Sequence, residues 1–126
     1  MTAVGHIEMT LAPEPASVAQ ARRAVLQALP ALGADRESTV QLLISELVTN
    51  ALRHSGCEQP VHLNASWNST VRVEVIDHGD GFAPVARSRP LEEPGGYGLL
   101  LVGSLADRWG VETDAHTTVW FELNGA

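Results

Sequence analysis

The sequence contains no lysine, so all eight of its basic residues are arginines. This absence excludes two widespread phosphate-binding patterns, the Walker A loop and the motif set of eukaryotic protein kinases, because both place a lysine on the phosphates. Cysteine is nearly absent as well, since Cys57 is the only one. A single cysteine excludes an internal disulfide and any metal site built from several thiolates.

Positive charge and long apolar runs are also scarce. The chain has 15 acidic residues against 8 basic ones, for a formal net charge of −7, whereas a nucleic-acid binder needs a basic face. No stretch approaches the roughly 20 apolar residues of a membrane span. Residues 1–20 have neither a basic residue nor the apolar run of a secretory signal. We therefore expect a cytoplasmic protein that binds neither nucleic acid nor a membrane.

The chain length and the hydrophobic periodicity predict one domain over residues 1–126. In chain order, the pattern predicts a strand at 7–11, helices at 16–29 and 35–55, a hairpin of strands at 61–67 and 71–77, a third helix from 95 to 106, and two last strands at 109–112 and 117–123. Asp35 is the expected N-cap of the second helix. The expected fold class is α/β, in the form of a two-layer α+β sandwich: a mostly antiparallel, mixed sheet of about five strands, covered on one face by three helices.

The second helix carries the first group of polar residues suited to chemistry. At about 100° per residue, Glu46, Asn50 and Arg53 cluster within roughly 60° of one another. They lie at the edge of an apolar arc formed by Leu43, Ile44, Leu47, Val48 and Ala51. A carboxylate, an amide and a guanidinium in one neighbourhood can hold a metal-bound polyphosphate, although many half-buried helices share this pattern.

Two glycine motifs follow along the chain. They are Asp77-x-Gly79-x-Gly81, at the end of a predicted strand, and Gly96-x-Gly98, at the start of the predicted third helix. Between them, residues 82–94 contain three prolines and no periodicity, which predicts a mobile loop. Each motif alone is also typical of an ordinary turn or helix start.

Taken together and in this order, the three motifs resemble the N, G1 and G2 boxes of the GHKL ATPase superfamily, whose members share the Bergerat nucleotide-binding fold. Their sequences are most similar to those of the stand-alone branch of anti-sigma factors that act as serine-protein kinases. The matching stretches are ELVTNALRHS, DHGDGF, GYGLLLVGSLADRWG and TTVWFEL. The resemblance extends from the second helix through Phe121.

The resemblance implies a site for ATP and Mg²⁺, and the chemistry of the second helix agrees with it. Asn50 matches the metal ligand, and an amide oxygen is a hard ligand of the kind that Mg²⁺ prefers. Glu46, one turn earlier, matches the catalytic base that accepts a proton from an attacking hydroxyl. Arg53 and His54 are expected to meet phosphate oxygens.

The resemblance also assigns the base-binding and loop residues. Asp77 accepts a hydrogen bond from the adenine amine, and Thr118 in the last strand supports that aspartate. Residues 82–94 form a lid over the nucleotide. The glycines Gly79 and Gly81 leave room for the purine, and Gly96, Gly98 and Leu99 bind the phosphates through backbone N–H groups at a helix N-terminus.

The implied function is that of a bacterial, Mg-ATP-dependent serine/threonine protein kinase of the anti-sigma-factor type. Such a protein phosphorylates a small antagonist protein of the STAS type and sequesters a sigma factor, and the resemblance leads us to expect a homodimer. The alternative is an ATP-responsive protein-binding regulator with little or no kinase activity. It is favoured by Thr117, which stands where the branch often carries a basic residue before the last-strand threonine.

The remaining histidines and the tryptophans have no such match. We expect solvated or packing roles for His6, His62 and His116, and packing roles for Trp67, Trp109 and Trp120.

Overall fold

The computed structural model describes residues 4–54, 59–78, 102–113 and 116–124. In chain order these residues form β1 (Gly5–Leu11), α1 (Ala16–Ala28), α2 (Ala34–His54), β2 (Val61–Trp67), β3 (Thr70–Asp77), a helical segment at residues 102–105, β4 (Arg108–Thr113) and β5 (Thr117–Asn124). Each predicted element is confirmed where the structure describes it, to within a few residues at its ends. Among these elements no helix has the length and apolarity to cross a membrane.

The five strands form one sheet in the order β1-β2-β3-β5-β4. All four neighbouring pairs are antiparallel, so the sheet has no parallel component among the described strands. The β2–β3 connection is a tight hairpin, as the sequence predicted. The N–H of Asn68 donates to the carbonyl of Thr70 at 3.1 Å, and the N–H of Thr70 donates to Oδ1 of Asn68 at 2.8 Å. The α+β sandwich expected for the Bergerat fold is confirmed.

Alternation along the strands separates the two faces of the sheet. The inner face, which α2 covers at β2 and β3, carries the buried apolar side chains. They include Val61, Leu63, Ala65, Val71, Val73, Val75, Val119, Phe121 and Leu123. The open face carries the intervening, more polar residues. This period of two is the one that the strand geometry imposes, so a residue's position along its strand decides its face.

The helices supply the other half of the core. In α2 the whole predicted apolar arc is buried, together with Val40 and Leu52. Asp35 is not the N-cap, because α2 begins at Ala34 and Asp35 lies within the first turn. Gly33 precedes the helix with φ of +95°, a conformation that glycine tolerates best. Acidic side chains in the first turn still favour the helix, because they face the positive end of its dipole.

The open face is held by a charged network rather than by apolar packing. The guanidinium of Arg72 donates to Glu74 at 2.9 Å and to Glu122 at 2.8 Å, and its Cζ lies 4.2 Å from the ring centre of Trp120. Arg108 donates to the other oxygen of Glu122 at 2.7 Å. Hydrogen bonds from Arg108 and Arg72 keep the pKa of Glu122 below its usual value. Trp120 therefore packs as expected, but against a cation on the open face.

Candidate functional site

Asp77 is the last residue of β3, and its carboxyl group lies on the inner face with the core. The strand alternates buried and half-buried residues from Val71 onward, and this alternation brings Asp77 to the buried side with 2% exposure. A carboxylate is costly to bury unless it has hydrogen-bonding or charged partners. Asp77 makes such contacts within the structure, and its place at a strand end makes it a candidate for ligand binding.

The residue opposite Asp77 on β5 is Thr117, not Thr118. The register of the β3–β5 pair joins Asp77 to Thr117, and Thr117 is buried with 3% exposure. Thr118 pairs with Ile76 and Glu112 instead, and lies on the open face. The assignment of Thr118 as the support of Asp77 therefore does not fit the strand register, in which the threonine opposite Asp77 is Thr117.

The alternation of residues in β5 already indicates that Thr117, rather than Thr118, lies on the inner face. Thr117 is two, four and six residues from the apolar Val119, Phe121 and Leu123, so alternation along the strand places it on their face. With Thr117 as the last-strand threonine, the residue before it is His116. The position before the last-strand threonine, where the branch often carries a basic residue, thus carries an imidazole.

The three polar residues of α2 lie at the edge of its buried arc, as the helical spacing predicts. Asn50 is buried with 6% exposure, Glu46 is half-buried, and Arg53 is exposed in the last turn. Asn50 is one of the buried residues of α2. The half-buried carboxylate of Glu46 and the exposed guanidinium of Arg53 remain accessible to a ligand.

His54, the last residue of α2, brings the helix and the strand end together. Its Nδ1 lies 3.7 Å from Oδ2 of Asp77, and the two side chains are 20% and 3% exposed. Nδ1 is buried and has no hydrogen-bond partner among the described residues. Two residues that the sequence singled out separately are thus neighbours.

A row of three histidines, which the sequence pattern did not predict, lies on the open face beside Asp77. The ring centres of His62 and His78 are 5.0 Å apart, and those of His78 and His116 are 4.8 Å apart. Partial burial, followed by repulsion from His116 and His62, lowers the pKa of His78, while Asp77 acts in the opposite direction. His78 follows Asp77 and His116 precedes Thr117, so the row depends on the β3–β5 register, which no local repeat in the sequence encodes.

The remaining predicted site residues lie outside the part of the chain that the structure describes. They are Gly79, Gly81, Gly96, Gly98, Leu99 and the lid at residues 82–94. Their assigned roles stay predictions. Within the described ranges, no group of three or more histidine, cysteine, aspartate or glutamate side chains has the arrangement of a metal site.

The described residues fit a nucleotide with its metal. Asp77 offers a buried acceptor for a hydrogen-bond donor of the base, and the unpartnered Nδ1 of His54 lies beside it. Asn50 offers an amide oxygen on the same helix as His54, which suits a metal that keeps most of its water and phosphate ligands. A nucleotide would use both groups, with its purine at Asp77 and the metal on its phosphates at Asn50.

Comparison with known proteins agrees with this chemistry. The model of the family described as histidine kinase-like ATPase domain matches residues 11–123. The match begins at the last residue of β1 and ends in β5, so it includes each described site residue. No curated protein sequence is similar enough to this chain to count as a match.

Proposed function

Because the chain belongs to the histidine kinase-like ATPase domain family, we propose that it binds Mg·ATP beside the ends of α2 and β3 and phosphorylates a serine or threonine of a partner protein. The observation that carries this proposal is the buried carboxylate of Asp77 next to the last turn of α2, the helix that bears Asn50. A buried carboxylate suits the hydrogen-bond donors of a base, and an amide oxygen suits the Mg²⁺ bound to its phosphates.

Each described site residue has a distinct task in this proposal. Asp77 accepts a hydrogen bond from the adenine amine, and Asn50 holds Mg²⁺. Glu46 accepts the proton of the attacking hydroxyl at its carboxylate, and Arg53 neutralises phosphate charge. When bound, Mg·ATP supplies the phosphoryl group and a cation that offsets its negative charge.

The proposed substrate is a small antagonist protein of the STAS type, and the proposed regulatory target is a sigma factor. The support is the resemblance of ELVTNALRHS and DHGDGF to the anti-sigma-factor branch. The half-buried position of Glu46 agrees with it, because a base for a protein hydroxyl must be reachable from outside. Such a protein would act in the cytoplasm, and we propose that it does so as a homodimer.

The test separates ATP binding from phosphate transfer. ATP with a radiolabelled γ-phosphate is mixed with the chain and a panel of purified STAS-domain proteins from the same genome. Glu46→Gln is compared with Glu8→Gln, a matched change on the exposed side of β1. We expect Glu46→Gln to bind ATP normally and to lose at least about a hundredfold in transfer rate, the range for removing a general base. Undiminished transfer by Glu46→Gln would refute the assigned mechanism.

The second candidate is an ATP-responsive regulator that binds a partner without phosphorylating it. The observation in its favour is His116, an imidazole in the place where a permanently charged side chain would assist phosphate or partner binding. ATP binding to the wild type, with no transfer to any protein of the panel, would support this candidate.

A further inference from the structure

We infer that His54 is a positioning residue for Asp77: its Nδ1 orients the carboxylate that accepts the adenine amine, and it does not contact the phosphates. The inference rests on the proposed ATP-binding function. It replaces the expectation, based on resemblance, that His54 meets phosphate oxygens.

The first support is the position of the imidazole. Nδ1 of His54 lies 3.7 Å from Oδ2 of Asp77, at the junction of α2 and β3. This distance exceeds an N–H···O hydrogen bond by only about 0.8 Å, so a small rotation of the ring closes it. The imidazole therefore faces the base-binding carboxylate, while its neighbour Arg53 is exposed and available for phosphate.

The second support is the state of the Nδ1 atom. It is a buried polar atom without a hydrogen-bond partner among the described residues. Buried polar atoms are almost always paired, because an unpaired one loses its bonds to water without replacement. The acceptor that the structure shows beside Nδ1 is Oδ2 of Asp77, so the pairing that satisfies this atom also restrains that oxygen of the carboxylate.

The orientation of that carboxylate matters for selectivity. When His54 engages one oxygen of Asp77, the orientation of the other oxygen is restrained too. This matters because a hydrogen bond weakens steeply as its angle becomes less favourable. Without His54 the carboxylate keeps its other contacts but loses the group beside Oδ2, so it would meet the adenine amine less often in the right geometry. The loss of His54 should therefore weaken the recognition of the amine and leave the remaining contacts of the nucleotide unchanged.

The experiment compares ATP with purine riboside 5′-triphosphate, which lacks the exocyclic amine but keeps the ribose and the phosphates. Calorimetry gives the affinity of both ligands, with Mg²⁺, for the wild type, His54→Ala, His54→Asn and His54→Gln. His6→Ala is the matched control, since His6 is exposed on β1. Melting curves establish that each variant is folded.

We expect His54→Ala to bind ATP roughly tenfold more weakly, the loss of one well-oriented charge-assisted hydrogen bond. Its affinity for purine riboside triphosphate should stay within about twofold of the wild type, since that ligand has no amine to recognise. His54→Asn should recover most of the ATP affinity, because its amide nitrogen can take the place of Nδ1. His54→Gln, whose nitrogen imitates Nε2, should not.

Three results would overturn the inference. Equal weakening of both ligands by His54→Ala would assign His54 to the phosphates. Failure of His54→Asn to recover more affinity than His54→Gln would assign it to packing alone. Absence of ATP binding by the wild type would remove the proposed function, and the inference with it, before any variant is considered.

Discussion

Thr117 stands directly opposite Asp77 on the neighbouring central strands, and both side chains lie on the inner face of the sheet. Residue 118, one step further along β5, lies on the open face and pairs with Ile76. A shift of one residue along a strand exchanges the two faces, so the two threonines are in different environments although they are adjacent in sequence.

Substitution of these two threonines by valine should therefore have different effects. Valine keeps the branched shape of threonine but removes its hydroxyl. We expect Thr117→Val to lower ATP affinity by roughly fivefold, which corresponds to about 1 kcal/mol for one hydrogen bond. Thr118→Val should stay within about twofold of the wild type. Calorimetric titration of both variants checks this, and the reverse ranking would restore Thr118 as the support of Asp77.

Asn50 should make ATP binding depend on magnesium. Asn50→Ala removes the only metal ligand proposed from the described residues, so we expect this variant to bind ATP with the same affinity in the presence and absence of Mg²⁺. The wild type should bind more tightly with Mg²⁺. Asn64→Ala is the matched control, because Asn64 lies on the open face of β2. A magnesium effect that survives in Asn50→Ala would exclude Asn50 as the metal ligand.

His78 should make the protein less stable at mildly acidic pH. Partial burial, with repulsion from His116 and His62, lowers its pKa from the ordinary 6.5, although Asp77 opposes the shift. The unfolded chain then binds a proton more readily than the folded protein. The stability that the neutral ring contributes is complete above the ordinary pKa, and it decreases as the pH falls through 6.5 toward the lower folded value.

Urea unfolding at pH 7.5 and pH 5.5 tests this expectation. His78→Asn should lose less stability between the two conditions than the wild type does, because it no longer takes up that proton. His6→Asn serves as the control for removing an exposed imidazole, and should behave as the wild type. An identical pH dependence in His78→Asn and the wild type would contradict the proposed effect of the histidine row.

We expect the packing of the Trp120 indole over β4 to require a glycine at position 110. A Cβ atom at position 110 would lie 2.8 Å from the indole, which is shorter than any real contact of this kind, so the ring must move. We expect Gly110→Ala to lower the free energy of unfolding by about 1–3 kcal/mol, the usual cost of overpacking. The displaced indole would also lose its contact with Arg72, whose Cζ lies 4.2 Å from the ring centre.

A double-mutant cycle identifies the source of this cost. In the Trp120→Leu background, Gly110→Ala should cost much less, because the large ring is gone. Urea unfolding of the wild type, the two single variants and the double variant gives the coupling energy. Equal costs in both backgrounds would show that the glycine serves the backbone of β4 rather than the indole.

Local periodicity alone determined the elements and their buried sides. The arc on α2, the alternation in β2 and β3 and the hairpin at Asn68 follow from repeats of 3.6 and 2 residues, which depend only on backbone geometry. The same alternation placed Asp77 with the core residues of its strand. Helix ends were less well determined: α2 begins before Asp35, because Gly33 allows the preceding turn.

Only the tertiary structure decided which residues from distant parts of the chain became neighbours. The pairing of Asp77 with Thr117, the approach of His54 to Asp77 and the row of His62, His78 and His116 each depend on strand register or on the packing of α2 against the sheet. These are contacts between residues far apart in sequence, and no local repeat encodes them. They form because burying the inner face of the sheet against the helices permits one register and excludes those shifted by one residue.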